Sequence, residues 1–391
     1  MTARGRRLRP RPPLRVWVWT AAALVVAAVA VSLWLTSDVA ATSSTTAPPA
    51  SVADEAPAGA LTAAWSAPTD GDLRGRVVES GRVLVTDEHG VAMVDPATGE
   101  EAWHYRRSNA RLCDATAVDG LVIVAFRTTG RCNELTGLTA ATGERAWYRN
   151  VRFRTDVDLT STEQVLLASS PTGIVTIDPT GDNTRWRVSP ADGCRFVDAA
   201  AGSTGVAVLQ RCGAGAPLQV LLYDGMAGDL TWTRELDTGT ATARLTGADR
   251  LVGVVVGDTV TVLAPADGAT LRTIELPSLP AGADARAEPL LQAGVEDVAL
   301  LWARGTVVAL DQATGATRWS GPALGLPAAV GSAPVGEVLV PEDGAFVRRS
   351  LADGAELERS TVTGELPTGG RATVVGPTVV LATPGEVRAF R

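Results

Sequence analysis

The sequence contains no lysine, so all 35 of its basic residues are arginine, and only 5% of its residues are aromatic. Its net charge of −8 is unevenly distributed, because six arginines precede the first acidic residue, Asp38. The remainder holds 29 arginines and 43 acidic residues, a net charge of −14. The chain from Asp38 onward is acidic enough to repel polyanions. This excludes nucleic acid as a partner and disfavours anionic lipid headgroups.

The sequence also lacks common catalytic motifs and the repeats of fibrous proteins. The chain has two histidines and no GxSxG, P-loop or HExxH motif, so the sequence predicts no catalytic residue, no metal site and no cofactor. The 40 glycines and 23 prolines disfavour long soluble helices, and no heptad or three-residue period is present. Coiled coils and collagen are therefore excluded, and a hydrophobic content of 46% excludes a wholly disordered chain.

One long uncharged run lies near the N-terminus. Residues 16–36 predict a transmembrane helix, because about 20 apolar residues span a bilayer core. The basic segment 1–15 then predicts a cytoplasmic tail and places the rest of the chain outside, in a single-pass arrangement. A cleaved signal peptide is the alternative, since Val39, Ala40 and Ala41 resemble a cleavage site, although the apolar run is longer than usual. Residues 37–60, rich in Ala, Ser, Thr and Pro, predict a disordered tether.

A repeat of about 42 residues fills the chain from residue 61 to 391. Each copy reads as an alternating strand, a turn with glycine, and a second strand that ends on a large side chain, as in residues 90–103 and 305–319. Another pair of apolar runs precedes each copy, which gives four strands per repeat. The copies end at positions 65, 103, 147, 186, 232, 272, 319 and 358. This period is typical of a β-propeller blade and predicts an all-β, eight-bladed β-propeller.

The two ends of the repeat region complement each other. Trp65 ends a strand that has no partner strands before it, and the last repeat stops after three strands. We therefore expect the N-terminal strand to supply the outer strand of the last blade. A ring closed in this way leaves no long open sheet edge, which predicts a monomeric propeller.

The repeats resemble the pyrroloquinoline-quinone-type repeats of eight-bladed propellers, with their signature A-x-D-x-x-T-G-x-x-x-W. The two best matches comprise Ala92, Asp95, Thr98, Gly99 and Trp103, and Ala309, Asp311, Thr314, Gly315 and Trp319. The chain is similar to membrane-anchored bacterial members, and in fold to outer-membrane assembly lipoproteins. The resemblance implies that the repeat tryptophans dock neighbouring blades together; they are Trp65, Trp103, Trp147, Trp186, Trp232 and Trp319.

The resemblance is compatible with two functions. A noncatalytic propeller would bind or scaffold an envelope protein, a glycan or a signal, and this is our interpretation. The alternative is a quinone-dependent dehydrogenase, which would imply a vicinal disulfide, a calcium site, an Asp base and a Trp beneath the quinone. None of these can be placed in the sequence, because the cysteines are separated and the tryptophans are explained by docking.

The four cysteines fall at matching places in two blades. Cys113 and Cys132 follow Trp103, and Cys194 and Cys212 follow Trp186, at similar distances. In each blade a hairpin brings the pair to one end. Outside the cytoplasm this predicts two disulfides, and a zinc site is the rival, although no close CxxC pair exists.

A basic region marks a candidate partner-binding face. Residues 101–195 hold 12 arginines and 11 acidic residues, unlike the acidic remainder. The strand order puts the connections between blades on one face with the middle hairpins, braced by both disulfides. The alternative is that these are solvated loop arginines, partly neutralised by acidic residues nearby. The candidate binding residues for an envelope protein or anionic glycan are Arg106, Arg107, Arg111, Arg149, Arg152 and Arg154.

Overall fold

Alternating strand patterns and glycine turns fold, in the computed structural model, into consecutive antiparallel sheets. The structure describes residues 13–35, 37–53, 55–69, 75–128, 130–153, 155–162, 164–180, 183–213, 215–239, 241–329 and 336–391. Two helices come first, α1 (Leu14–Leu35) and the short α2 (Asp38–Ala41), and they are followed by two strands, β1 (Thr42–Ser44) and β2 (Ala60–Pro68). All later elements of the described chain are strands.

The strands after β2 form seven four-stranded blades and three strands of an eighth within the described residues, with one further short strand, Gly325–Leu326, paired beside the last of them. The first four blades contain β3 (Val78–Glu79), β4 (Arg82–Asp87), β5 (Gly90–Val94), β6 (Glu101–Arg107), β7 (Arg111–Val118), β8 (Leu121–Arg127), β9 (Cys132–Thr139), β10 (Arg145–Asn150), β11 (Asp158–Ser161), β12 (Leu166–Ser170), β13 (Gly173–Ile177), β14 (Thr184–Val188), β15 (Arg195–Gly202), β16 (Gly205–Arg211), β17 (Leu218–Tyr223) and β18 (Leu230–Leu236). The last four contain β19 (Ala243–Gly247), β20 (Val252–Val256), β21 (Thr259–Leu263), β22 (Thr270–Glu275), β23 (Leu291–Val295), β24 (Val298–Ala303), β25 (Thr306–Asp311), β26 (Thr317–Pro322), β27 (Gly325–Leu326), β28 (Ala328–Ala329), β29 (Glu337–Glu342), β30 (Ala345–Ser350), β31 (Glu356–Thr363), β32 (Gly370–Val375), β33 (Thr378–Thr383) and β34 (Glu386–Phe390). The predicted eight-bladed propeller is confirmed.

The ring closes through strand β2, as the sequence predicted. This strand lies antiparallel to β34, with Ser66 opposite Arg388, and so completes the blade formed by β32, β33 and β34. Its first residues also pair parallel with β31 of the preceding blade. The N-terminal strand therefore joins the last two blades into one continuous sheet.

The turn before each outer strand explains the repeated Asp-x-x-Thr-Gly pattern. The carboxylate of Asp95 accepts hydrogen bonds from the backbone N–H groups of Ala97 (2.8 Å) and Thr98 (3.0 Å). Gly99 follows with a φ of 74°, a conformation that side chains other than glycine rarely adopt. Asp311, Thr314 and Gly315 repeat this geometry.

The repeat tryptophans link each blade to the next. The indole Nε1–H of each of the six donates to a backbone carbonyl of the following blade, over 2.7 to 3.1 Å. Trp103, for example, is fully buried, donates to the Ala140 carbonyl and packs on Gly143. The six are therefore structural. Trp302, which lies outside the repeat, is also buried and donates to the Ala323 carbonyl (2.8 Å).

The fifth blade, β19 to β22, has no tryptophan at the docking position and packs on the next blade through a neighbouring residue. The register places Arg272 opposite Val262, where other blades have tryptophan. Arg272 is exposed, and Leu271 instead lies against Gly315 of the next blade. The apolar Leu271 thus covers the glycine turn of the next blade, while the charged side chain of Arg272 stays in water.

Helix α1 agrees with the predicted apolar span, beginning two residues earlier. It is long and apolar enough to cross a membrane between Leu14 and Trp34, and its length and composition fit an anchor and a signal sequence alike.

The prediction of a disordered tether is wrong for residues 37–53, which we call the strap. Strand β1 pairs with the outer strand β6, so that Ser43 lies opposite Arg106. Further along, the Ala47 N–H donates to the Thr142 carbonyl (3.0 Å), and Arg82 donates to the Pro48 carbonyl (2.6 Å). Composition missed this docking because main-chain hydrogen bonds to a sheet edge need few apolar side chains.

Candidate functional site

The candidate binding arginines lie at one face, but they are not equally available. Arg106 and Arg107 end strand β6, Arg111 begins β7, and Arg149 lies in β10. Arg152 follows β10 in a connection between blades. Arg154 lies outside the described residues. Of these, Arg111 and Arg152 are exposed, whereas Arg107 is buried.

Arg107 cannot contact a partner, which corrects the sequence-based assignment. It is 3% exposed and forms ion pairs with Glu134 and with Asp38 of the strap (2.8 Å to Asp38 Oδ1). Burial alone would lower the pKa of Arg107, but its hydrogen bond to Glu134 and the charges of Glu134 and Asp38 raise it. Phe126 covers the guanidinium, 5.6 Å from its ring centre. Arg107 thus docks the strap.

Arg106 and Arg111 are paired with acidic neighbours. Arg106 contacts Asp87 (2.6 Å) and Glu101 (3.0 Å), and Arg111 contacts Glu88. Burial tends to raise the pKa of Asp87, yet its bond to Arg106 lowers it overall. The Arg111 hydrogen bond lowers the pKa of Glu88. This part of the face is a network of half-buried and exposed ion pairs, and the exposed pair of Arg111 and Glu88 is weak and open to exchange with a partner.

The next connection carries a basic spot built on an aromatic ring. Arg187 lies over the ring of Phe153, 4.8 Å from its centre, and donates to the Val151 carbonyl (2.5 Å). Burial and the nearby charge of Arg152 lower the pKa of Arg187. Arg149 donates to the Thr184 hydroxyl (2.7 Å). Arg152 and Arg187 together therefore form a positively charged point at the rim of two blades.

The two predicted disulfides are confirmed and lie at this face. Cys113 is bonded to Cys132, and Cys194 to Cys212, within the second and fourth blades. Each links the start of an innermost strand to the hairpin between the two middle strands. No group of metal-binding side chains is found among the described residues.

A second feature, which repeat patterns could not reveal, is the central channel. The innermost strands surround a cavity of about 730 Å³. Its charged lining residues in the described chain are Arg76, Asp198, Arg244, Asp249, Arg250 and Arg371. Sequence reasoning missed them because they come from four different blades and share no motif.

The closed ring of four-stranded blades, with an apolar helix ahead of it, defines a β-propeller with an N-terminal apolar helix. A family model described as outer membrane protein assembly factor BamB matches residues 51–204 and 171–328, which together make up more than half of the chain. The chain therefore belongs to this family. No curated protein matches the sequence.

Solved structures share the fold at low sequence identity. BamB from Moraxella catarrhalis is 16% identical, with a TM-score of 0.51, and the match covers 85% of this chain and 99% of that one. The computationally designed Ika8 protein is 13% identical, with a TM-score of 0.52 and coverage of 83% and 99%. Quinohemoprotein alcohol dehydrogenase from Comamonas testosteroni is 13% identical, with a TM-score of 0.48 and coverage of 84% and 76%. At these identities the likeness to the first two structures concerns the fold alone.

Proposed function

We propose that the chain is a noncatalytic scaffold, anchored in the membrane by α1, whose propeller binds an envelope protein on the extracytoplasmic side. The observation that carries this proposal is the strap. Directly after the apolar helix, residues 38–44 form a helical turn and a strand that dock onto the first blade. The propeller is thereby held at a fixed place beside the end of α1.

The charge pattern around α1 supports the orientation. Six arginines precede the helix, and Asp38 is the first acidic residue after it. Basic residues are retained on the cytoplasmic side, so the tail would lie inside and the propeller outside. Both disulfides agree with an oxidising compartment. An uncleaved α1 also agrees with the strap, because cleavage near Ala41 would cut through its docked part.

The two carboxylates of the channel, Asp198 and Asp249, form structural hydrogen bonds, which supports a noncatalytic role. The Asp198 carboxylate accepts hydrogen bonds from the backbone N–H groups of Ala199 and Leu245, each over 2.9 Å. Asp249 accepts from Gly294 (2.6 Å) and Ser203 (3.3 Å). These bonds tie neighbouring blades together, which is a structural use of both groups.

For the partner surface we propose the basic face, at its exposed residues Arg111 and Arg152. Their guanidinium groups would pair with carboxylates of an envelope protein, since the fork geometry of arginine favours bidentate contacts. The name of the matched family, outer membrane protein assembly factor, fits a protein partner.

The orientation is tested with an introduced cysteine. All four native cysteines are in disulfides, so Thr233→Cys, exposed on β18, provides a single reactive thiol. A maleimide that does not cross membranes should label it in intact cells. Labelling only after lysis would overturn the proposed orientation.

The partner surface is tested by photo-crosslinking in envelope membranes. We expect a crosslinked envelope protein that is lost when Arg111 and Arg152 are both replaced by Ser. The matched control replaces Arg234 and Arg272, which are exposed on outer strands, and should retain the adduct. An adduct that survives the first pair of substitutions would exclude this face.

A further inference from the structure

The central cavity concentrates positive charge in a chain that is negative overall. Its described lining carries four arginines and two aspartates, a net charge of +2, whereas the whole chain carries −8. Walls of low dielectric constant focus the field of such groups into the cavity. A small anion would therefore be attracted to the channel although the outer surface repels it.

Arg371 is one of these charges, and few hydrogen bonds satisfy its guanidinium. Its Nη2 donates to the Gln292 carbonyl across 3.2 Å, and its Nε is buried without a hydrogen-bond partner. Burial lowers the pKa of Arg371 to about 10, although the charge of Asp249 acts in the opposite direction, and the guanidinium remains charged at neutral pH. A charge removed from water is costly unless an opposite charge meets it.

Arg250 is placed beside the same cavity by a tight turn. Its backbone N–H donates to the Ser203 hydroxyl (2.9 Å), which fixes the turn. Its side chain lies along Gly294, where an added Cβ would come within 2.7 Å of the Arg250 Cγ. The Arg250 Nε is also buried without a hydrogen-bond partner. Neither Arg250 nor Arg371 forms an ion pair in the part of the chain that the structure describes.

The surrounding wall is rigid and its own acids are occupied. Gln292 accepts from the Thr246 hydroxyl (2.6 Å) and donates to the carbonyls of Asp249 (2.7 Å) and Leu251 (2.8 Å). Asp249 accepts the two backbone N–H groups described above. The charge of Asp249 partly offsets that of Arg371, and its carboxylate also lies near the Arg250 side chain at Gly294. Asp249 forms no ion pair with either arginine among the described residues, so their guanidinium donors remain available.

We propose that the central channel binds a small water-soluble organic anion, through a carboxylate or phosphate group that accepts hydrogen bonds from Arg371 and Arg250. Charge-assisted hydrogen bonds of this kind would satisfy guanidinium donors that have no partner among the described residues. The site goes beyond the scaffold function and does not depend on it, because it lies inside the ring and away from the basic face.

The test uses the full chain in detergent and two probes, citrate for carboxylates and orthophosphate for phosphates. At about 10 mM, one of them should raise the melting temperature by about 2 °C relative to sodium chloride of equal ionic strength. Titration calorimetry should give a saturable heat for the same probe. The probe that raises the melting temperature identifies the class of anion.

Variants then locate the site. Arg371→Gln and Arg250→Gln should each abolish the shift, and Arg234→Gln, which removes an exposed outer-strand arginine, should retain it. Arg371→Gln should also melt slightly higher than the parent without anion, since it removes a poorly compensated charge. Gly294→Ala, which crowds Arg250 without changing the charge, should weaken binding.

Three outcomes would overturn the proposal. They are no shift and no heat with either probe, a shift that Arg371→Gln retains, and an equal loss in Arg234→Gln. Because no partner protein is needed, a negative result here leaves the scaffold function standing, and a failed crosslink leaves the channel site standing.

Discussion

Asp38 and Arg107 form an ion pair, 2.8 Å between Oδ1 and Nη2, that joins the segment after the apolar helix to the first blade. Asn109 donates to the same Asp38 oxygen over 2.7 Å. On its other side Arg107 meets Glu134 of the second blade. One guanidinium thus connects the strap to two blades.

Arg107 and Asp38 should contribute differently to the free energy of unfolding. Replacing Arg107 by Met leaves the buried Glu134 without its ion-pair partner and should cost about 3 kcal/mol of stability. Replacing the exposed Asp38 by Asn should cost less than about 1 kcal/mol, while increasing hydrogen exchange in residues 42–47. Denaturant unfolding and exchange mass spectrometry measure the two effects. Equal costs for both variants would contradict the described burial.

Ring closure predicts unequal effects of two deletions. Removing residues 61–66 strips the last blade of its outer strand and should lower the melting temperature strongly, because the inner strands lose their cover. Removing residues 37–44 should lower it much less, since only the edge pairing with β6 is lost. Melting curves of both variants decide the matter, and identical midpoints would rule out closure by β2.

The tryptophan docking predicts different costs for two glycine substitutions. Gly143 and Gly130 both have positive φ, 81° and 84°, so alanine strains both. At Gly143 the new Cβ would also come within 2.7 Å of Trp103, whereas space is open at Gly130. Gly143→Ala should therefore cost about 1–3 kcal/mol more than Gly130→Ala in denaturant unfolding. A smaller cost at Gly143 would refute tight docking.

Acid sensitivity should depend on Arg318. Its hydrogen bond, together with that of Thr314, lowers the pKa of Asp311 to about 2, and it also lowers the pKa of Asp297. Carboxylates with a lowered folded pKa stabilise the protein above about pH 4, and this contribution is lost as the pH falls towards about 2. Arg318→Met should flatten the fall in melting temperature over this range. Arg234→Met, the control, should leave its slope unchanged.

The two disulfides should stabilise the fold independently of each other. Each closes a loop, with sequence separations of 19 and 18 residues, and should contribute about 3 kcal/mol. Replacing Cys113 and Cys132 by Ser should cost this amount, and replacing Cys194 and Cys212 a similar one, since the pairs lie in different blades. Peptide mapping without reduction checks the pairing, and pairs between blades would contradict it.

The sequence by itself determined the parts of this protein that repeat. The spacing of Trp103 and its counterparts predicted the blades, their number and the closure by Trp65, because each blade needs the same docking contact. The two cysteine pairs could be matched for the same reason, since a hairpin is a local structure.

Only the tertiary structure decided what depends on contacts between distant residues. Arg107 looked available for binding until Asp38 and Glu134 were placed around it, and Leu271 replaced Arg272 at the docking position because solvation favours the charged side chain outside. The strap pairs through its backbone, which leaves no pattern in side chains. Arg250 and Arg371 come from separate blades, so their shared cavity exists only once the ring has closed.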